Sequence, residues 1–186
     1  LGSRLMYRLA FRNRGGVESM VVTHSVDPDG GGARDAVLRW YEIRTPNTTP
    51  TVYQVGTYAP DTSYRWMASA ALDTQGNIGL GYSVSSSAIH PEIRFTARYA
   101  ADPAGAMTQG DNLIIGGPGS QGSSLTRWGD YSSMSVDPVD DCTFWYTTMF
   151  IPANGTFNWK TQVGSFKLPG CCLDADGDGH GTASCG

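Results

Sequence analysis

Three arginines stand at similar places along the chain. Arg8, Arg65 and Arg127 each open a run rich in strand-forming residues: Tyr7-Arg8-Leu9, Tyr64-Arg65-Trp66 and Arg127-Trp128. A guanidinium grips a carboxylate through two parallel hydrogen bonds, so arginines brought together suit an acidic ligand. Asp130 and Tyr131 lie beside the third arginine and are the weaker candidates for an acid and a phenol at the same place. A second chemistry sits near the C-terminal end. Asp174, Asp176 and Asp178 alternate with small residues, and Gly179 follows. Carboxylates at alternate positions can converge on one hard cation, which makes calcium the expected cofactor. The twelfth position, where an EF-hand carries a bidentate Glu, is Cys185, so the expected site is weak; the alternative is a solvated acidic linker.

For the arginines to act together, repeated elements must carry them to one place, and the chain does repeat. In the second repeat a run from Trp66 to Leu72 meets the turn Asp73-Thr74-Gln75-Gly76-Asn77, then a run from Ile78 to Val84. In the third, Tyr131 to Val136 meets Asp137-Pro138-Val139-Asp140-Asp141, then Cys142 to Phe150. The first repeat turns at Asn13-Arg14-Gly15-Gly16. Gly-rich and Asp-rich turns between such runs are hairpin signals. A third strand is expected over Ala36 to Arg44, Glu92 to Tyr99 and Phe157 to Phe166, each alternating with the two-residue period of a strand. A fourth is expected over Thr51 to Tyr58 and Asn112 to Gly116, with none in the third repeat.

Composition agrees with an all-β chain. Of the 186 residues 24 are Gly, charged residues make up 16%, and apolar residues 40%. No apolar 3.6-residue period survives for three turns, so long helices are not expected. The net charge of −4 argues against a nucleic-acid binder, whose affinity rests on a basic surplus. No apolar run approaches the roughly 20 residues that span a bilayer. The chain begins at Leu1 with neither an initiator Met nor a signal-peptide pattern, which reads as a piece of a longer precursor. Cys142, Cys171, Cys172 and Cys185 allow three full pairings. Cys142 with Cys171 and Cys172 with Cys185 is the expected set, against four buried thiols, and favours an oxidising compartment.

Four-stranded units in series, roughly 60 residues apart, describe propeller blades. The expected fold is an all-β, propeller-like array of about three four-stranded blades over 1–170, with repeats at about 4–60, 61–120 and 121–170. The last blade lacks its outer strand, and 171–186 is a Cys-bounded acidic tail. Propellers close with about four to eight blades, so the remainder would come from upstream chain or another subunit. A β-sandwich is the competing fold.

The turns carry a resemblance. Ser135-Val136-Asp137-Pro138-Val139-Asp140-Asp141-Cys142-Thr143-Phe144-Trp145 resembles the Asp-box of sialidase-like propellers, as does Ala71-Leu72-Asp73-Thr74-Gln75-Gly76-Asn77-Ile78. The third repeat departs from the motif in its Gly, the second in its Ser and Trp. The wider run Arg127-Trp128-Gly129-Asp130-Tyr131-Ser132-Ser133-Met134-Ser135-Val136-Asp137-Pro138 is similar to segments of large secreted bacterial proteins. The tail Asp174-Ala175-Asp176-Gly177-Asp178-Gly179 resembles the calcium loops of thrombospondin type-3 repeats and dockerins. The first resemblance implies that Arg8, Arg65 and Arg127 line a central channel and grip a substrate carboxylate, with a Tyr–Glu pair and an Asp acid to complete catalysis. Only Glu18, Glu42 and Glu92 exist, and none falls where that pair would need it. Each arginine paired with an acidic group of a neighbouring blade is the plainer expectation.

Other motifs carry less. Gly117-Pro118-Gly119-Ser120-Gln121-Gly122 fits G-x-G-x-x-G, but a strand rather than a phosphate-binding helix is expected after it. His24, His90 and His180 lack metal-ligand spacing. Five Trp and nine Tyr would pack between blades or, exposed, form a sugar-stacking platform. Asn47-Thr48-Thr49 and Asn154-Gly155-Thr156 match glycosylation sequons. The favoured reading is a secreted, non-catalytic propeller that binds glycan or protein or serves as a structural part of a surface assembly. A sialidase-like glycoside hydrolase is the alternative.

Overall fold

The computed structural model describes residues 4–31, 36–122, 127–129 and 131–171. Among them are eleven strands in three antiparallel sheets and no helix. The first sheet holds β1 (Ala10–Arg14), β2 (Val17–Val26), β3 (Val37–Arg44) and β4 (Thr51–Tyr58). The second holds β5 (Tyr64–Leu72), β6 (Ile78–Ser85), β7 (Glu92–Arg98) and β8 (Asn112–Ile115). The third holds β9 (Ser133–Val136), β10 (Phe144–Phe150) and β11 (Lys160–Phe166). Strands lie in chain order within every sheet, so each sheet is a simple meander. The third has three strands, as the repeat pattern predicts.

Turn chemistry sets these meanders. Gly15 and Gly16 both take positive φ, 54° and 92°, the two-residue hairpin geometry that matches strand twist. Gly16 N–H also donates to Asn13 Oδ1 at 2.9 Å. In the second sheet Asp73 is fully buried and accepts from the backbone N–H groups of Gln75 and Asn77, both at 2.9 Å. In the third Asp137 accepts from Val139 N–H at 2.8 Å and from Trp145 Nε1 at 3.0 Å. Asp140 accepts from the N–H groups of Cys142 and Thr143. These carboxylates satisfy turn donors that would otherwise lack partners.

The second sheet lies between the other two. Its first strand, β5, meets β1, β2 and β3 on one side and β9 on the other, while β6 and β7 meet β10. Hence β6 (Ile-Gly-Leu-Gly-Tyr-Ser-Val-Ser) is buried on both faces and shows no alternation. Gly79 and Gly81 leave room for the rings of Phe144 and Tyr146: a Cβ on either would fall 2.6 and 2.4 Å from them. Phe166 stacks between Phe95 and Phe144, with centroids at 3.8 and 5.1 Å. Between the first and second sheets, Thr23 Oγ1 donates to Ala68 O at 2.8 Å and Tyr58 OH to Gly110 O at 3.0 Å.

The three first strands share one hollow. A cavity of about 150 Å³ is lined by Arg8, Ala10, Phe11 and Arg12, by Ala71 and Leu72, and by Met134, Ser135 and Val136. There Arg12 makes two 2.6 Å hydrogen bonds to Asp141, linking the first sheet to the third. A disulfide joins Cys142 to Cys171, 29 residues apart, and pins the chain leaving β11 to the start of β10. The Cys172–Cys185 pairing and the whole acidic tail lie outside the described residues.

Several expected bounds shift. Phe157 takes a left-handed φ of 58°, so the third strand of the last sheet starts at Lys160 rather than Phe157. β9 starts at Ser133 rather than Tyr131. β10 starts at Phe144 rather than Cys142 because Asp137 and Asp140 hold the residues before it in a turn.

Candidate functional site

A concave site of about 440 Å³ opens beside the third sheet. Its aromatic lining is Trp128, Tyr131, Phe157 and Trp159. Arg127, Lys160 and Gln121 supply charge and an amide; Thr148 and Thr161 supply hydroxyls. A few polar groups set among apolar walls, at this size, is the usual constitution of a ligand site.

Three features of the chain build it. The first is the segment before β9. Gly129 is buried with φ of 50°, and a Cβ there would meet Met67 at 3.5 Å and Thr148 Oγ1 at 3.7 Å. Trp128 is anchored by its Nε1–H on Ser83 Oγ at 3.2 Å and by an edge contact with Trp66, centroids 5.8 Å apart. The second is a β-bulge between Trp66 and Ser69, where Met67 takes a positive φ of 52°. Ser132 and Tyr146 hold it there, donating to Met67 O at 2.9 and 3.0 Å. The third is the loop before β11. Asn158 donates to Ala153 O, and Phe157 packs edge-on against Trp159 at 5.6 Å.

The result is a fixed wall and an open rim. Tyr131 is 88% exposed, Phe157 66% and Trp159 49%. At the base, Thr148 is almost fully buried. Two non-glycine residues in the left-handed region are found here: Phe157 lines the cleft, and Met67 lies behind its Gly129. Such strain costs about 1–3 kcal/mol each and tends to gather where a ligand is held.

The candidate arginines have three different surroundings. Arg127 lines this cleft, and Arg8 lines the hollow between the first strands. Arg65 is fully buried and lines neither. Its guanidinium binds Asp61 at 2.7 Å and Asp111 at 2.5 Å, and Asp111 also receives Arg94 at 2.9 Å and the hydroxyl of Tyr82. Hydrogen bonds from Arg65 hold the Asp61 carboxyl well below the usual range. Burial pushes the Asp111 carboxyl up, but Tyr82 and Arg65 outweigh it and leave it low. Both carboxylates come from the second repeat, which also holds Arg65, so its partners lie within its own repeat rather than in a neighbouring one. Asp111 is 46 residues from Arg65, and nothing in the chain marks the pair in advance.

Tyr131 joins the cleft with Arg127; Asp130 lies outside the described residues, as do Asp174, Asp176, Asp178, Cys172 and Cys185. Among the described residues no cluster of three His, Cys, Asp or Glu side chains is placed to hold a metal. The expected packing of aromatics between sheets holds for buried Trp40 but not for Trp159 or Trp145, which is 40% exposed. Sequence reasoning missed Phe157 and Lys160 and named Trp159 only among the five Trp that, if exposed, would form a sugar-stacking platform; the one further signal was the alternation of Phe157 and Trp159. No protein-family description, no curated protein and no solved structure matches this chain. No helix among the described residues is long and apolar enough to cross a membrane.

Proposed function

We propose that this chain is part of a secreted, non-catalytic β-propeller that binds a glycan in the aromatic cleft beside β9–β11. The observation that carries the reading is the cleft itself: four aromatic side chains, three of them strongly exposed, around one cavity of about 440 Å³. The C–H face of a sugar ring is apolar and carries slight positive charge, and it settles on the negative face of an aromatic ring. The hydroxyls then find Gln121, Thr148 and Thr161.

A propeller is supported by three serial meanders whose first strands surround a common hollow. Secretion is supported by the Cys142–Cys171 disulfide. The Asp73 and Asp137 turns use their carboxylates as an Asp-box would, to organise the hairpin. Calcium in the tail stays part of the proposal, and titration with calcium before and after removal of residues 173–186 tests it.

The test of the main reading is tryptophan fluorescence during titration with neutral and acidic oligosaccharides. Saturable change is expected for at least one, and Trp159→Ala weakens it by roughly tenfold or more, about 1.4 kcal/mol, with an unchanged melting temperature. Binding indifferent to Trp159→Ala would remove the cleft from the function.

A further inference from the structure

We infer that the outer edge of β11 is a docking site for an extended segment of another polypeptide, which joins the third sheet as its fourth strand. The segment matches the seven residues of β11 in length, is neutral, and is apolar at alternate positions. This site stands apart from the glycan cleft and does not depend on it.

The three sheets supply the comparison. In the first two the third strand is interior: β3 lies between β2 and β4, and β7 between β6 and β8. β11 holds the same place in its meander, yet among the described residues it is the last strand of its sheet. Alternate residues of an edge strand turn their N–H and C=O groups away from their own sheet, where a further strand can meet them. The outermost strands of the other sheets are guarded against this. The pairing of β4 with β3 shifts between Glu42 and Ile43, and that of β8 with β7 between Ile93 and Arg94. Such bulges twist an edge away from partners. β8 is also short, at four residues. β11 has none of these devices. Its register with β10 is unbroken from Lys160 to Phe166, it contains no Pro, and its one charge, Lys160, stands at its end. The pairings of β3 with β2 and of β7 with β6 are unbroken in the same way. β11 is therefore built as an interior strand.

The chain that leaves β11 does not lie along this edge. After β3 the chain turns back as β4, but after β11 it is drawn inward. Cys171 is bonded to Cys142, just before β10. Gln75 Nε2 donates to Gly170 O at 3.0 Å, and Tyr99 OH donates to Pro169 O at 3.3 Å. Leu168 and Cys171 are buried. Residues 167–171 are thus tied to β10 and the second sheet, away from the open edge. The first two sheets stop at four strands, which favours a single added strand over the joined edge of a second copy.

The two faces of β11 set the chemistry of the partner. Toward the second sheet, Phe166 stacks on Phe95, and a Cβ on Gly164 would fall 2.4 Å from Ile114. Apolar side chains on the added strand extend that contact. On the other face Val163 is 50% exposed between Thr161 and Ser165, and β-branched neighbours suit it. A cation opposite Lys160 would be repelled. In this mode main-chain hydrogen bonds give the affinity, and alternate side chains give the selectivity.

Amide hydrogen exchange on the whole chain tests the assignment. The probe is a peptide of the Thr51–Tyr58 sequence, the fourth strand of the first sheet. In the free protein, alternate amides of β11 should exchange readily; with saturating peptide they should slow by about tenfold or more. N-methylation of alternate peptide residues in one phase should weaken binding by roughly tenfold, because those N–H groups face β11; the other phase should have little effect. Val163→Lys should weaken the peptide by roughly fivefold and leave the melting temperature nearly unchanged. Slow exchange along all of β11 in the free protein would show an edge already covered and overturn the site. Slowing that appears only as protein concentration rises would give the edge to a second copy and overturn a separate partner. Equal losses from both methylation phases would show a side-chain patch without strand addition. No slowing by the peptide in a folded protein would overturn the proposal outright.

Discussion

The second sheet and the first are the same four-strand meander, but they are buried differently. The second lies between two neighbours, and its strand β6 is covered on both faces. The first meets the second through the face carrying Val21, Thr23, Leu38, Trp40 and Tyr58. Its opposite face holds a row running across all four strands, Phe11–Met20–Ile43–Val52, set by the pairing register. Phe11 is 51% exposed and Val52 61%. The third sheet also turns one face outward, but there the rows read Ser135–Trp145–Ser165 and Ser133–Thr147–Val163. One outer face carries an unbroken apolar row across four strands, and the other is largely hydroxylic. Identical topology thus says nothing about which faces are covered; side-chain rows across the sheet do.

The sharpest way to break this comparison is to delete the same ring on an inner and an outer face. Phe144 is fully buried against Gly79 and stacked on Phe166. Phe144→Ala should cost about 3–5 kcal/mol, the usual range for a buried Phe. Phe11→Ala removes the same atoms from the exposed row and should cost no more than about 1 kcal/mol. Urea unfolding of both variants measures the difference. Equal costs would mean that the two faces are equally covered and the contrast is false.

A smaller effect is expected from the ion cluster that ties the second sheet's edge to the loop before β5. Asp111→Ala leaves Arg65, Arg94 and the hydroxyl of Tyr82 without a shared acceptor. Because Arg65 is fully buried and keeps Asp61, the loss should be about 2–3 kcal/mol at neutral pH. The folded carboxyls of Asp61 and Asp111 are both depressed. Their stabilisation is therefore complete above the unfolded value of about 4 and is lost as pH falls below it. Burial raises Asp73 instead, so its contribution has the opposite sign and declines as pH rises past about 4. Comparing wild type with Asp111→Ala between neutral pH and pH about 3 isolates the cluster, and the gap between them should shrink in acid. A gap constant with pH would show that the cluster contributes packing rather than charge.

How much of this was legible follows from the range of each interaction. The strand Thr51 to Tyr58 and the Gly15-Gly16 turn could be read from the chain because local alternation and glycine set them. The strand Ile78 to Ser85 was placed by its flanking turns rather than by alternation, since burial on both sides erases the period. The arginines looked equivalent because each opens a similar strand-forming run. They are not, since Arg65 is decided by Asp111, which arrives from a distant turn. The cleft was hidden for a related reason: Trp128, Tyr131, Phe157 and Trp159 lie outside the strands, and only Phe157 and Trp159 share a local period.

The finest test concerns Val52 alone. It ends the apolar row at the outermost strand and is more exposed than any other member whose exposure is high enough to matter, at 61%. Val52→Thr keeps the shape and adds a hydroxyl. On a face open to water the hydroxyl stays hydrated, and the stability change should stay within about 0.5 kcal/mol. Under a packed partner it would lose that hydration and cost about 1–3 kcal/mol. Unfolding measured at two protein concentrations separates the cases, because a face covered by a second molecule gives a stability that rises with concentration. A small, concentration-independent change is expected for this chain alone. A larger one that grows with concentration would show that the first sheet, like the second, is covered on both faces once molecules associate.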